Sequence, residues 1–199
     1  MAGRDPDRPR PAGPEEAAAD LLERQLTLTG AIYAMPKPTI ASLPGAAAGA
    51  GLSIALSCDL RVAAESAFMT TGFARIGLSG DYGSSFFLTQ MIGTARAREL
   101  FFTGMRVPAR QCMEWGLVNR VVPDDQLSCE TRSLARQLAA GPPVAFGQMK
   151  NNLDHALRAD LPSCLEQEAH GLVRTARTSD HREAVKAFVE KRDPKFEGR

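Results

Sequence analysis

Net charge is nearly absent from this chain: 24 Lys and Arg stand against 23 Asp and Glu, a formal balance of +1 at pH 7. That leaves no electrostatic footprint for nucleic acid or for an anionic membrane surface. Cysteine is sparse. The four present, Cys58, Cys112, Cys129 and Cys164, are widely spaced and form no Cys-x-x-Cys pair. Ordinary buried or idle thiols in a cytoplasmic protein are the expected context. His155, His170 and His181 lie in polar, helix-forming sequence with no second ligand four residues on, which predicts surface positions and no metal. Met1-Ala2-Gly3-Arg4-Asp5 leads into a Pro-, Arg- and Asp-rich stretch rather than an apolar one, so no signal peptide is expected. At 199 residues and 44% hydrophobic, the chain can bury one sizeable core and a small appended unit.

What is present is concentrated in 21 uncharged residues, Pro38 to Cys58. Pro38-Thr39-Ile40-Ala41-Ser42-Leu43 favours an extended backbone, Pro44-Gly45 breaks it, and Gly49-Ala50-Gly51 opens a second apolar run ending at Asp59. The pattern predicts a strand, a tight turn, a glycine-rich loop and a buried helix. Glycines at a helix start let backbone N–H groups approach a ligand, and the helix dipole favours negative charge there, as an oxyanion site requires. The run is too rich in Ala, Gly and Ser, and carries too few large aliphatics, to span a bilayer. Gly45, Gly49 and Gly51 fit neither a phosphate-binding loop nor a dinucleotide fingerprint. A helix packed closely on a strand, with no ligand, accounts for the segment taken alone.

Elsewhere, Pro6 to Pro14 reads as a loop, and Pro14-Glu15-Glu16 starts a helix with Leu21, Leu22, Leu26, Leu28 and Ile32 along an apolar side, ended by Pro36 and Pro38. Leu60–Ala64, Ala67–Thr70 and Leu117–Val122 read as strands, and helices are expected over Ser84–Ile92, Ala95–Phe102 and Pro108–Trp115. From Pro123 onward only helices are expected, the first capped by Asp124-Asp125. Mixed α/β followed by all-α is the resulting order.

Six pieces, in order, resemble the crotonase (enoyl-CoA hydratase/isomerase) superfamily. They are Lys37-Pro38-Thr39-Ile40-Ala41, Pro44 to Gly51, Cys58-Asp59-Leu60-Arg61, Ile76 to Ser85, Glu114 to Asn119, and Ala187-Phe188-Val189-Glu190-Lys191-Arg192. The resemblance covers essentially everything from Ala2 onward. It implies an α/β fold: a crotonase/ClpP-like β-β-α superhelix core over residues 1–122 and a helical trimerisation region over 123–199, commonly assembled as a homotrimer or a dimer of trimers. It also implies an acyl-CoA thioester as partner, with coenzyme A arriving as part of the substrate and no separate cofactor. Two backbone N–H groups hold the enolate oxygen in that family. By resemblance one is that of Ala50, flanked by Gly49 and Gly51, and the other that of Arg4 in Ala2-Gly3-Arg4-Asp5. Phe188 and Lys191 fall where a neighbouring subunit's terminal helix touches the nucleotide, and a lysine there pairs with phosphate. A solvated helix end is the alternative. Relatives carry strands ahead of the Ala-Gly-x-Asp motif that have no counterpart after Met1. A start recorded too far downstream is favoured over a shortened member.

The family's hydratases add water with two glutamates, and Ser53 and Phe73 stand in their places. Serine lacks the pKa and reach of a glutamate base, and phenylalanine moves no proton, so hydration is disfavoured. Asp81 remains, where some isomerases of the family carry their proton-shuttling acid and aryl-CoA dehalogenases their nucleophile. The dehalogenase's histidine partner would align near Leu26, which disfavours that reading. A turn or cap role is the plain alternative for Asp81. The expected function is double-bond isomerisation in an enoyl-CoA, with Asp81 as base and Ala50 and Arg4 as donors. A non-catalytic acyl-CoA binder is the alternative.

Overall fold

Proline and two acidic residues open the first helix of the computed structural model, which describes residues 13–199. Helix α1 (Pro14–Gln25) runs into a π-helical segment (Leu26–Gly30) and a last helical turn, α2 (Ala31–Ala34). The π segment inserts an extra residue per turn and breaks the 3.6-residue period on which an apolar stripe depends. The expected apolar side is therefore not continuous, and Leu22 and Leu26 remain 55% and 61% exposed.

The chain divides into two compact units: residues up to Ala34 with Thr39–Thr131, and Met35–Pro38 with Arg132–Arg199. In the first unit, strands β1 (Ile40–Leu43), β3 (Leu60–Ala64) and β6 (Arg120–Val122) form one parallel sheet in the order β1-β3-β6, with Ile40 opposite Leu60 and Val62 opposite Arg120. Strand β2 (Ala46–Ala48) lies parallel to β4 (Phe68–Thr70), and β4 lies antiparallel to β5 (Val107–Pro108). Helix α3 (Ala50–Ser57) follows β2 almost directly and buries Leu52, Ser53, Ala55 and Leu56. Helix α4 (Ser84–Thr103) bends at Gly93, where two helices were expected, and α5 (Ala109–Glu114) ends before Gly116 at φ +81°. Val62, Leu88, Val107 and Leu117 centre the core.

Strand β6 is shorter than the apolar run Leu117–Val122. The N–H groups of Leu117 and Val118 both donate to the Cys112 carbonyl, and Asn119 turns back to pair with the Arg61 backbone. Asp124 does not cap its own helix. Its Oδ1 accepts from the Ser66 N–H at 3.1 Å, and hydrogen bonding from the Ser66 side chain and then its backbone lowers its pKa, while a short 3-10 turn (Asp124–Gln126) leads into α6 (Leu127–Ala139).

Two residues of the Cys58-Asp59-Leu60-Arg61 piece have structural work. Asp59 Oδ2 accepts from the N–H and hydroxyl of Thr39 at 2.7 and 2.8 Å, tying the start of β1 to β3. Arg61 is buried, and its guanidinium donates to the carbonyls of Leu117 at 2.6 Å and Cys58 at 2.5 Å. Burial lowers its pKa, with nearby Cys58 and Asp59 acting against that. Arg61→Met should leave those carbonyls unpaired and cost about 2–6 kcal/mol, at roughly 1–3 for each orphan. Urea unfolding with an unchanged midpoint would refute this.

The second unit contains the rest of α6, then α7 (Pro143–Ala156), α8 (Leu161–Ala176) and α9 (Ser179–Glu190). Asp160 and Thr178 accept from the N–H groups of Ser163 and His181 as helix caps. His170 and His181 are exposed as expected. His155 is half-buried with its Nε2 enclosed, because α7 turns that face inward. Among the described residues no helix is long and apolar enough to cross a membrane, and no group of three or more His, Cys, Asp or Glu could hold a metal ion.

Candidate functional site

The strand–turn–helix segment comes first, because its backbone geometry is unusual. Gly49 sits at φ +53°, ψ −126°, between β2 and α3. That conformation strains any residue with a Cβ, although a Cβ there would meet Phe73 Cε1 and the Thr71 carbonyl at tolerable distances of 3.7 and 3.8 Å. The Gly49 N–H donates to the Thr70 carbonyl at 3.2 Å, which anchors the turn to β4. Helix α3 therefore begins at Ala50 with no side chain over its N-terminus, since Gly49 supplies none. The first N–H groups of an α-helix have no intrahelical acceptor. Those of Ala50 and Gly51 stand at that end with the helix dipole behind them, and both residues keep some exposure or more.

One turn into α3, Ser53 is fully buried. Its hydroxyl lies 3.3 Å from the Gly49 carbonyl and 3.0 Å from the Asp81 carbonyl. The hydroxyl is a clasp between α3 and the loop carrying Asp81, not an open base or nucleophile.

Phe73 opens a 3-10 turn (Phe73–Ile76) and is 4% exposed. It lies against Gly49 on one side and stacks on Phe101 on the other, with centroids 6.0 Å apart and planes at 18°. Phe101 packs against Gly80, where a Cβ would come within 2.9 Å of the ring. An apolar wall thus runs from the Gly49 turn to the residue before Asp81.

Asp81 lies in a loop of unusual backbone angles: Gly80 at φ +109°, Tyr82 at +49° and Gly83 at +81°. Its carbonyl also accepts from the Ser84 N–H at 3.1 Å and the Ser84 hydroxyl at 3.0 Å. The carboxylate behaves differently. Its Oδ1 is buried and finds no hydrogen-bond partner among the described residues, and burial raises its pKa. Gly83 is the N-cap of helix α4 and no side-chain cap bond is made there, so the side chain of Asp81 is not spent on a cap. An uncapped helix start, an aromatic wall and a carboxyl whose Oδ1 is unpaired among the described residues can together polarise a carbonyl and move one proton.

Gly49, Ala50, Gly51, Ser53, Phe73 and Asp81 are therefore brought into one neighbourhood. Phe188 and Lys191 belong to the second unit. Phe188 is 85% exposed on α9, and Lys191 ends that helix at φ +54°, also exposed. Arg4 and its Ala-Gly-Arg-Asp motif lie outside the described residues. Sequence reading missed Gln25, whose Oε1 accepts from the Tyr82 N–H at 2.6 Å. No local pattern marks a contact 57 residues apart.

The family model described as enoyl-CoA hydratase/isomerase matches residues 2–199. The 1,2-epoxyphenylacetyl-CoA isomerase of Escherichia coli (strain K12) is 36% identical over 190 residues, 95% of this chain and 72% of that protein. The 4-chlorobenzoyl coenzyme A dehalogenase-1 of Arthrobacter sp is 36% identical over 137 residues, 69% of this chain and 50% of the dehalogenase. The crystal structure of an enoyl-CoA hydratase from Polaromonas sp. JS666 is similar with a TM-score of 0.88 at 35% identity, covering 94% of this chain and 72% of that one. These similarities bear out the mixed α/β, crotonase-like fold, and the three names carry three different reactions.

Proposed function

Because the chain belongs to the enoyl-CoA hydratase/isomerase family of the crotonase superfamily, we propose that it binds an acyl-CoA thioester and shifts a double bond along the acyl chain. The thioester carbonyl sits against the Ala50 N–H, with Arg4 supplying the second donor through its backbone. Developing enolate charge there lowers the pKa of the adjacent C–H. Asp81 takes a proton from one carbon and returns it to the carbon two positions away. No water is consumed and no cofactor is required. Phe188 and Lys191, on the terminal helix of a neighbouring subunit, are assigned to the nucleotide end.

The observation that carries the reading is the enclosed Oδ1 of Asp81, unpaired among the described residues, in a loop fastened to α3 by Ser53. Hydration is the weaker reading because Ser53 is committed to two carbonyls and Phe73 is walled in. A base must be ionised to act, so turnover should fall as pH drops through the Asp81 pKa. Burial raises that pKa, placing the acid limb of kcat/KM above the usual carboxylate value of about 4. The test follows 3-enoyl-CoA and 2-enoyl-CoA separately by the absorbance of the conjugated thioester. Water addition faster than isomerisation would overturn the assignment.

Assembly as a trimer or a dimer of trimers belongs to the same proposal. It is supported by exposed Leu153 on α7 and Leu161, Leu165 and Leu172 on α8. Sedimentation velocity at micromolar concentration should show a species larger than one chain, and a monomer would refute it.

A further inference from the structure

We propose that Gln25 is a positioning residue for Asp81, an inference that rests on the isomerase reading above. The Tyr82 N–H and the Asp81 carbonyl belong to one peptide group. That group is gripped from both ends: Gln25 Oε1 accepts its N–H at 2.6 Å, while the hydroxyls of Ser53 and Ser84 donate to its oxygen at 3.0 Å each. A peptide plane held at both edges cannot rotate, and its orientation sets the direction in which the Asp81 side chain leaves the backbone. The hold is needed because Tyr82 sits at φ +49°, which a bulky residue rarely adopts and which neighbouring contacts must enforce.

Gln25 is itself placed by the helix break beside it. It is the last residue of α1, immediately before the π segment, and the hydroxyl of buried Thr29 donates to its carbonyl at 3.1 Å. A π-turn inside a helix is uncommon and recurs at functional sites. Here its consequence is a glutamine side chain aimed across to a loop 57 residues away. Ser53 ties the loop to the oxyanion helix and Gln25 ties it to α1, so the base is fixed relative to the donor by two polar contacts that leave its carboxyl free.

Gln25→Met keeps length and volume and removes the acceptor, whereas Gln25→Glu keeps an acceptor oxygen. Hydrogen–deuterium exchange, read on peptides covering residues 79–83, should show the Tyr82 amide exchanging at least about tenfold faster in Gln25→Met and near the native rate in Gln25→Glu. For 3-enoyl-CoA isomerisation, kcat should fall about 10- to 100-fold in Gln25→Met, as expected when a reacting group is misplaced, with KM within about twofold and most of the turnover recovered in Gln25→Glu. Unchanged exchange in Gln25→Met overturns the contact. Faster exchange with native turnover overturns the positioning role. So does a fall in kcat that Gln25→Glu fails to rescue. A native enzyme with no isomerase activity but a protected Tyr82 amide instead overturns the reaction assignment, and with it the catalytic half of this proposal.

Discussion

Asp81→Asn should lower 3-enoyl-CoA isomerisation by roughly 100- to 10,000-fold, the range for loss of a positioned acid or base, while leaving ligand affinity nearly intact. Asparagine keeps the size of the side chain but accepts no proton at neutral pH. The backbone of Asp81, not its carboxylate, accepts the contacts from Ser53 and Ser84, so the loop has no reason to reorganise. The same substitution should raise thermal stability at pH 7. The folded-state pKa of Asp81 is raised by burial, so its contribution to stability is fully present below the unfolded pKa and is lost as pH rises through the folded one. Asparagine escapes that loss, and the two proteins should melt alike only below about pH 4, where both carboxyl states are protonated. Lower turnover with a higher melting temperature is the mark of a residue kept for chemistry at some cost to the fold. Undiminished turnover in Asp81→Asn would remove Asp81 from the reaction.

The strand–turn–helix segment around Gly49 was legible in the sequence because its signals are local. Pro44-Gly45 breaks β1, and Gly49, free to take φ +53°, turns the chain from β2 directly into α3. The substitutions Ser53 and Phe73 were equally readable, since replacing a carboxylate by a hydroxyl or a ring changes what chemistry is possible wherever the residue sits. Contacts made across the chain were not readable. Asp124 beside another aspartate before a helix looks like a cap, yet Ser66, 58 residues away, claims its oxygen. The apolar residues of the first helix suggested one stripe, yet a π segment interrupts the period directly after Gln25. A period of 3.6 describes a helix that nothing else pulls on, and tertiary hydrogen bonds of the kind Tyr82 makes are what pull on it. That the Asp81 carboxyl does not cap α4 could likewise be seen only from the structure, where its Oδ1 has no partner among the described residues.

Ala50→Pro should weaken binding of acetoacetyl-CoA, an enolate mimic, by at least about 2 kcal/mol and lower kcat by roughly 100- to 1,000-fold, the cost of one oxyanion donor. The substitution is mild to the fold for a specific reason. Ala50 is the first residue of α3, the one helical position where proline's fixed φ is favourable and its missing N–H breaks no intrahelical bond. Its side chain keeps partial exposure, so a ring does not have to displace core atoms. The helix bonds that follow, beginning with the Ser53 N–H to the Gly49 carbonyl at 3.1 Å, do not involve the Ala50 nitrogen. Ala50→Ser supplies the control, since it alters the side chain and keeps the N–H. Calorimetric titration should find Ala50→Ser near the native affinity and Ala50→Pro at least about 30-fold weaker, the same 2 kcal/mol written as a ratio. If proline and serine weaken binding equally, the side chain is at fault and the backbone donor is not. If neither does, the carbonyl is held elsewhere. Only a loss confined to proline assigns the oxyanion to the start of α3, where the dipole and the uncapped N–H groups already point.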